Sequence, residues 1–517
     1  MFSPATHPLC LITDDGTPTT DALAASLVER GWQVVVLALS QRDADKDLSL
    51  PQGVKRMVLP PEEQVPELLC TLTEQYGSLG AFIYLHPTHW QDSESDAGLA
   101  EKAALKQVFL LLRHLKQPLQ QAAQQERGAL LMVTRLDGSL GISLNNDFSP
   151  LAGGVFGLLK TLYQEWESVF CRAIDMAPSL NTKQSVRCIL AELYDPSPLP
   201  VEVGYSSEGR TTLVAEAAPL VELPAEPTNS IRSTSVFLVS GGARGITAHC
   251  VFRLAQHYRC RFILLGRSQL HEEPAWAQGL DEAALKQRLL TEMSTQGKKL
   301  TPRMLKEAYK SLMAGRQIRS TLDAIEAAGG QAVYLSVDVT DPVALQQNLE
   351  QASAKLGSVT GIIHGAGNIA DKLIENKSAQ DFETVYRAKV EGLTNLLKVV
   401  SPGQLEHLIL FSSVVAFYGN VGQADYALAN EILNKTAYLF KRRFPNCRVL
   451  AFNWGPWDGG MVTPELQRLL TQQAVDTIPA TKGAQMFLDE LTAADTQVVQ
   501  VVIGSPLIQN PKLLISL

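Results

Sequence analysis

Val236-Phe237-Leu238-Val239, followed at once by Ser240-Gly241-Gly242-Ala243-Arg244-Gly245-Ile246, decides the fold. Four apolar residues make a short buried strand; the glycines then turn the chain into a helix reaching about His257, and Arg261 to Leu265 reads as the next strand. Glycines at such a turn let the backbone approach a pyrophosphate, to which the helix N-terminus offers free N–H groups. The spacing is Gly-x-x-x-Gly-Ile and not Gly-x-Gly-x-x-Gly, so taken alone the loop suits a plain turn equally well.

Three further strand ends change that balance. Gly266-Arg267-Ser268 falls where a nucleotide-binding fold meets the adenosine ribose, and an arginine there pairs with a 2′-phosphate, favouring NADPH over NADH, with Arg244 assisting. Asp338-Val339, after the strand Ala332 to Val337, sits where an adenine edge is read. His364-Gly365-Ala366-Gly367 ends another strand with small residues that permit close approach. Four such ends in order define a dinucleotide site.

The first half repeats the architecture without the site. Leu9 to Ile12 leads through Thr13-Asp14-Asp15-Gly16 into a helix near Asp21 to Arg30 and a strand Gln33 to Leu39. Ala81 to Leu85 and Leu130 to Thr134 read as further strands, and Gly157 to Glu167 as a helix. Two carboxylates in the turn would repel phosphate, so this half is expected to bind no dinucleotide. The three prolines between Ala217 and Ser230 mark an extended linker. The expectation is an α/β protein of two tandem Rossmann-like halves, each a doubly wound parallel sheet. Residues 1–225 form a degenerate structural subdomain and 236–517 the catalytic one, with a helical insertion at 268–315.

A formal net charge of -8 argues against non-specific nucleic-acid binding. No apolar run approaches the roughly 18 residues of a membrane span, and the N-terminus lacks a basic start and cleavage site, so a cytoplasmic protein off the membrane is expected. The seven cysteines form no CxxC pair and have no histidine at ligand spacing, which gives neither a metal site nor a disulfide framework.

Phe411-Ser412-Ser413 ends the apolar run from His407, and Tyr426 follows in Gly422-Gln423-Ala424-Asp425-Tyr426-Ala427-Leu428-Ala429-Asn430. Tyr426 and Asn430 are four apart on a helix and share a face. Lys389 lies on an earlier helix in Ala388-Lys389-Val390-Glu391-Gly392. Singly, these residues fit ordinary packing, turn, surface and capping roles. Together they resemble the short-chain dehydrogenase superfamily, and within it the ketoreductase domains of polyketide and fatty-acid synthases, where Lys and Asn exchange places relative to Tyr-x-x-x-Lys. Asn453-Trp454-Gly455-Pro456 continues the series of matches. Ile369-Ala370-Asp371-Lys372, Phe417-Tyr418-Gly419-Asn420 and Trp454 to Met461 look closer still to ketoreductases of bacterial polyunsaturated-fatty-acid synthases, with enediyne-type synthases as near relatives.

That resemblance covers essentially the whole chain, including a nucleotide-free first half. It implies Ser413, Tyr426, Lys389 and Asn430 as catalytic residues, NADPH as cofactor with Gly455 and Pro456 at its site, and no metal. The implied substrate is a β-ketoacyl chain on the phosphopantetheine of an acyl carrier protein, among other synthase domains. Tyr426 would donate the proton, Ser413 would orient the carbonyl oxygen, Lys389 would lower the phenol's pKa, and Asn430 would fix Lys389 or a relay water. In related ketoreductases a Leu-Asp-Asp tripeptide goes with the (3R) product and a tryptophan eight before the tyrosine with the opposite one. Here Asp371 is kept and Tyr418 stands at the tryptophan's place, which leans to (3R). Gln423 is a substrate-side residue, and the segment Trp457 to Ile478 is the expected substrate lid, with Met461 near the acyl chain. A free-standing reductase of CoA thioesters or ketones, and a silent scaffold, are the competing readings.

Overall fold

The computed structural model describes residues 8–40, 50–88, 94–217, 231–295, 301–459, 475–493 and 495–504, with positions 468 and 471 besides. Met461, much of the expected lid and most of the proline-rich linker lie outside the described residues.

The first half runs β1 (Leu9–Thr13), α1 (Pro18–Val28), β2 (Gln33–Ala38), β3 (Lys55–Val58), α2 (Val65–Tyr76), β4 (Leu79–Leu85), α3 (Glu94–Gln125), β5 (Ala129–Thr134), α4 (Pro150–Glu165), β6 (Phe170–Met176), α5 (Thr182–Leu193), β7 (Glu202–Ser206) and β8 (Gly209–Thr211). Its eight strands lie in the order β3-β2-β1-β4-β5-β6-β7-β8, parallel except for the β7–β8 hairpin.

The second half runs β9 (Val236–Ser240), α6 (Gly245–Tyr258), β10 (Arg261–Gly266), α7 (Glu282–Thr295), α8 (Pro302–Ala327), β11 (Gln331–Ser336), α9 (Pro342–Leu356), β12 (Gly361–His364), α10 (Ala379–Tyr386), α11 (Gly392–Val399), β13 (His407–Ser413), α12 (Val414–Tyr418), α13 (Ala424–Arg443), β14 (Arg448–Trp454), α14 (Ala480–Thr492) and β15 (Gln500–Ile503). Its sheet is β11-β10-β9-β12-β13-β14-β15, all parallel. In both sheets the strand order reverses beside the first strand, and in the second a crevice opens there at the carboxyl ends.

These strands are continuous apolar runs because helices cover both faces. Every residue of β9, β12, β13 and β14 is buried. The helical pair α7–α8 does not stop at Gly315: α8 continues to Ala327, because its later turns bury Ile318 and Ile325 as the crossover between β10 and β11.

The halves share one core. Phe109, Phe156 and Leu159 of the first half cluster with Phe382, Leu428 and Ile432 of the second. α4 lies directly on α13, and its glycines explain how. A Cβ at Gly157 would stand 2.3 Å from the Ala427 carbonyl oxygen, and one at Gly153 2.4 Å from Lys435 Cγ. Beside this contact lie Lys160–Glu202 (3.0 Å) and Lys435–Glu431 (2.9 Å), all four side chains buried. Burial works against the charge on Lys435, yet Glu431 and Glu202 hold its ammonium above the ordinary lysine range. Gly157→Val is expected to lower stability by about 2–4 kcal/mol, since the two helices would have to separate. Thermal unfolding checks it; an unchanged Tm would mean that α4 slides without loss.

Candidate active site

One cleft of about 930 Å³ opens at the carboxyl ends of the second sheet. At one end Gly241, with φ +69°, packs on the chain at Gly365 and Ala366, where a Cβ would come within 3.1 Å. Arg244 precedes α6 without a side-chain cap, so the first N–H groups of this 14-residue helix keep no internal partner and face the cleft through Gly245 and Ile246. That donor set fits a pyrophosphate. Arg244, Arg267, Asp338 and Val339 line the same end; Arg267 donates to Asn368 Oδ1 (3.2 Å), and Asp338 Oδ1 accepts from Thr340 N and Oγ1 (both 2.9 Å). Ala243, Gly266, Gly365, Ala366, Gly367, Gly455 and Pro456 also line the cleft. Ser240, Gly242 and Ser268 do not. Gly242 packs on Val239 and Leu264, while the Ser268 carbonyl accepts from Tyr334 Oη (2.7 Å).

Ser240 acts behind the wall. Its Oγ lies 2.7 Å from His364 Nδ1, and His364 Nε2 lies 2.9 Å from the Lys389 carbonyl oxygen. A carbonyl only accepts, so Nε2 carries the ring proton, Nδ1 accepts from the Ser240 hydroxyl, and Ser240 Oγ is left to take the Ala366 N–H (3.2 Å). Burial first, then the Lys389 ammonium, push the histidine down to about 3, which keeps the ring neutral. This relay pins a single π-helical turn, Arg387–Glu391, between α10 and α11. The wide turn aims Lys389 inward, and only a glycine at 367 clears its stem, since a Cβ there would be 2.7 Å from Lys389 Cε.

Lys389 is 3% exposed and donates to the Phe411 carbonyl (2.6 Å); its Nζ stands 5.8 Å from the centre of the Tyr426 ring. Burial pulls its pKa down to about 7. Ser413 caps α12, accepting from Val415 N (3.2 Å). Lys389, Ser413, Tyr426, Asp371 and Gln423 all line the cleft. Gln423 donates to Asp371 Oδ1 (3.1 Å) and accepts from Asn420 Nδ2 (2.9 Å).

Three expectations are corrected. The phenol of Tyr426 is not lowered: burial pushes it up to about 12, Asp371 adds to the rise, and the Asn430 amide opposes it. Of the two roles expected of Asn430, the bond to Lys389 is not made: the amide is fully buried and donates to the Tyr426 carbonyl (2.9 Å) one turn back, while its Oδ1, with no protein partner among the described residues, is left for the relay water. Tyr418 lies off the cleft, its carbonyl drawn to α4 by Gln164 Nε2 (2.7 Å) and its ring edge-on to Phe417. The sequence reading missed Asn368 and Asn420, isolated amides in loops, and the buried pair Lys377–Asp425. The described ends of the segment expected to be the lid are joined by the bridge Trp457–Ile478.

A parallel sheet with a glycine turn, an uncapped helix N-terminus and a tyrosine–lysine–serine group in one cleft is an arrangement able to hold a dinucleotide and to protonate a carbonyl oxygen. Residues 235–459 match the family described as KR domain. Across 525 residues the chain is 34% identical to a polyunsaturated fatty acid synthase subunit of Thraustochytrium sp., covering 96% of this chain and 17% of that one. It is 26% identical over 400 residues to polyketide synthase PksL of Bacillus subtilis, covering 75% and 8%. Among solved structures it is similar to an N-terminal ketoreductase from the macrolactin assembly line (TM-score 0.69, 18% identity, 96% and 87% covered). An A-type ketoreductase of a modular polyketide synthase is similar too (TM-score 0.67, 20% identity, 97% and 90% covered). The match to the KR domain family thus falls in the second half of the chain, and the chain spans under a fifth of the length of the two synthases named here. No helix among the described residues is long and apolar enough to cross a membrane.

Proposed function

We propose that this chain reduces a β-ketoacyl thioester, carried on the phosphopantetheine of an acyl carrier protein, to the (3R)-β-hydroxyacyl thioester within polyunsaturated-fatty-acid or polyketide synthesis, with NADPH as reductant. The carrying observation is that Ser413, Tyr426 and Lys389 line one cleft with the uncapped N-terminus of α6. NADPH, when bound, supplies the hydride. The amides of Gly245 and Ile246 would hold its pyrophosphate, Arg267 and Arg244 the 2′-phosphate, Asp338 and Val339 the adenine, and Gly455 and Pro456 the nicotinamide end.

As the carbonyl gains electrons, its oxygen is met by the Ser413 hydroxyl and takes the proton of the Tyr426 phenol. The Lys389 ammonium favours the phenolate left behind. Asp371 and Gln423 form the wall opposite and bear on which face of the ketone is presented. Residues 1–225 serve as the structural subdomain and 236–517 as the catalytic one.

The test compares NADPH oxidation on a β-ketoacyl carrier protein with oxidation on the matched CoA thioester, and resolves the product on a chiral column. Carrier preference and a single (3R) product are expected; preference for the CoA ester overturns the carrier assignment. Arg267→Ala is expected to raise the KM for NADPH about 10- to 100-fold while leaving NADH nearly unchanged, as loss of a charge-assisted phosphate contact requires.

A further inference from the structure

Lys377 is a lysine the chemistry does not use, yet it is fully buried. Its Nζ donates to Asp425 Oδ1 (2.5 Å) and to the Ala370 carbonyl (2.6 Å). Those two partners are the chain neighbours of Tyr426 and of Asp371. Asp425 Oδ1 also takes the Tyr426 N–H (2.9 Å), so one ammonium ties the first turn of α13 to the loop that presents Asp371.

A second buried charge makes the same connection from the other side. Glu165, at the end of α4 in the first half, accepts the Ile374 N–H on Oε2 (2.9 Å) and the Gly422 N–H on Oε1 (2.8 Å). Ile374 belongs to the Asp371 loop, and Gly422 precedes Gln423. The Lys372 N–H to the Gly422 carbonyl (3.0 Å) and the Gln423–Asp371 bond close the gap between the loops. Asp371 and Gln423 thus cannot move relative to Tyr426 without breaking a buried charged hydrogen bond, which is costly because the abandoned charge stays in a low-dielectric site.

We infer that Lys377, with Asp425, and Glu165 are positioning residues: they fix the Asp371–Gln423 wall against the Tyr426 phenol and so set which face of the ketone meets the hydride. This rests on the reduction of a prochiral ketone proposed above. It gives the first half a part in the outcome of the reaction as well as in stability.

The decisive variant is Lys377→Met with Asp425→Leu, which removes both charges and leaves neither unpaired, so that the fold survives where Lys377→Met alone would strand a carboxylate. Glu165→Gln is the partner experiment, because an amide offers one acceptor oxygen where two N–H groups need two. Each is first checked for a cooperative thermal transition, then assayed with a β-ketoacyl thioester and NADPH, with chiral separation of the product. With the wall loosened, kcat is expected to fall about 10- to 100-fold and the enantiomer ratio to drop at least about tenfold. The KM for NADPH should stay within about twofold, because that end of the cleft is untouched. A folded double variant with wild-type kcat and enantiomer ratio overturns the inference. Should the double variant fail to fold, Glu165→Gln decides by the same criteria. A wild-type chain that reduces no β-keto thioester fails the functional proposal instead, and that outcome is read from the wild-type arm alone.

Discussion

Tyr426→Phe is expected to lower kcat for ketone reduction on the order of 10³-fold, the scale of a lost general acid, while NADPH still binds. The substitution removes one oxygen and keeps the ring, whose packing against the shared core is unchanged. The raised pKa sharpens the argument. A phenol pushed up to about 12 by burial is fully protonated at neutral pH, the form that reduction consumes. It is a reluctant acid toward water but not toward an alkoxide, which is far more basic, so proton delivery waits for charge to build on the substrate. Asn430 and Lys389 are the groups placed to ease that delivery. Steady-state NADPH oxidation and fluorescence titration of NADPH separate the two effects. Residual turnover above about a tenth of wild type would move the proton donor elsewhere, to Ser413 or water.

Much of this arrangement was legible because buried parallel strands are written as unbroken apolar runs ended by glycine or a small polar residue. Val236–Ser240 and Arg261–Gly266 show this, and the residues just past such ends are those that reach a ligand. α4 was harder. Its beginning at Pro150 was missed because Gly153 and Gly154 look like turn residues; with Gly157 they are the price of bringing one helix backbone against another, a fact that resides in α13 and not in α4. Lys377 and Asp425 are 48 positions apart, with no periodicity to connect them. Titration was least legible. The Lys–Tyr pairing suggested a lowered phenol, but burial decides the sign, and burial of the hydroxyl cannot be read from spacing.

Lys389→Met is expected to abolish reduction on the order of 10²–10³-fold and to make the protein more stable at pH 7. Buried in the π-helical turn, the lysine has its pKa pulled down to about 7, against about 10.4 in the unfolded chain. Between those values the unfolded state binds the extra proton, so wild-type stability rises with pH across that window, and below about pH 7 the full penalty of a buried ammonium is in place. Methionine fills the same channel past Gly367 without a charge. The variant should therefore unfold at a higher temperature than wild type at pH 7, and the gap should close toward pH 10. Thermal melts at pH 6, 8 and 10 check this, and a variant less stable than wild type at every pH would refute it. Activity should show the mirror image. Wild-type kcat/KM should fall above about pH 7 as the ammonium is lost, with the limb moving upward once the anionic cofactor is bound and favours the charge. A fold that keeps a destabilising lysine, and builds Ser240, His364 and a glycine at 367 around it, retains it for the charge it presents to the cleft.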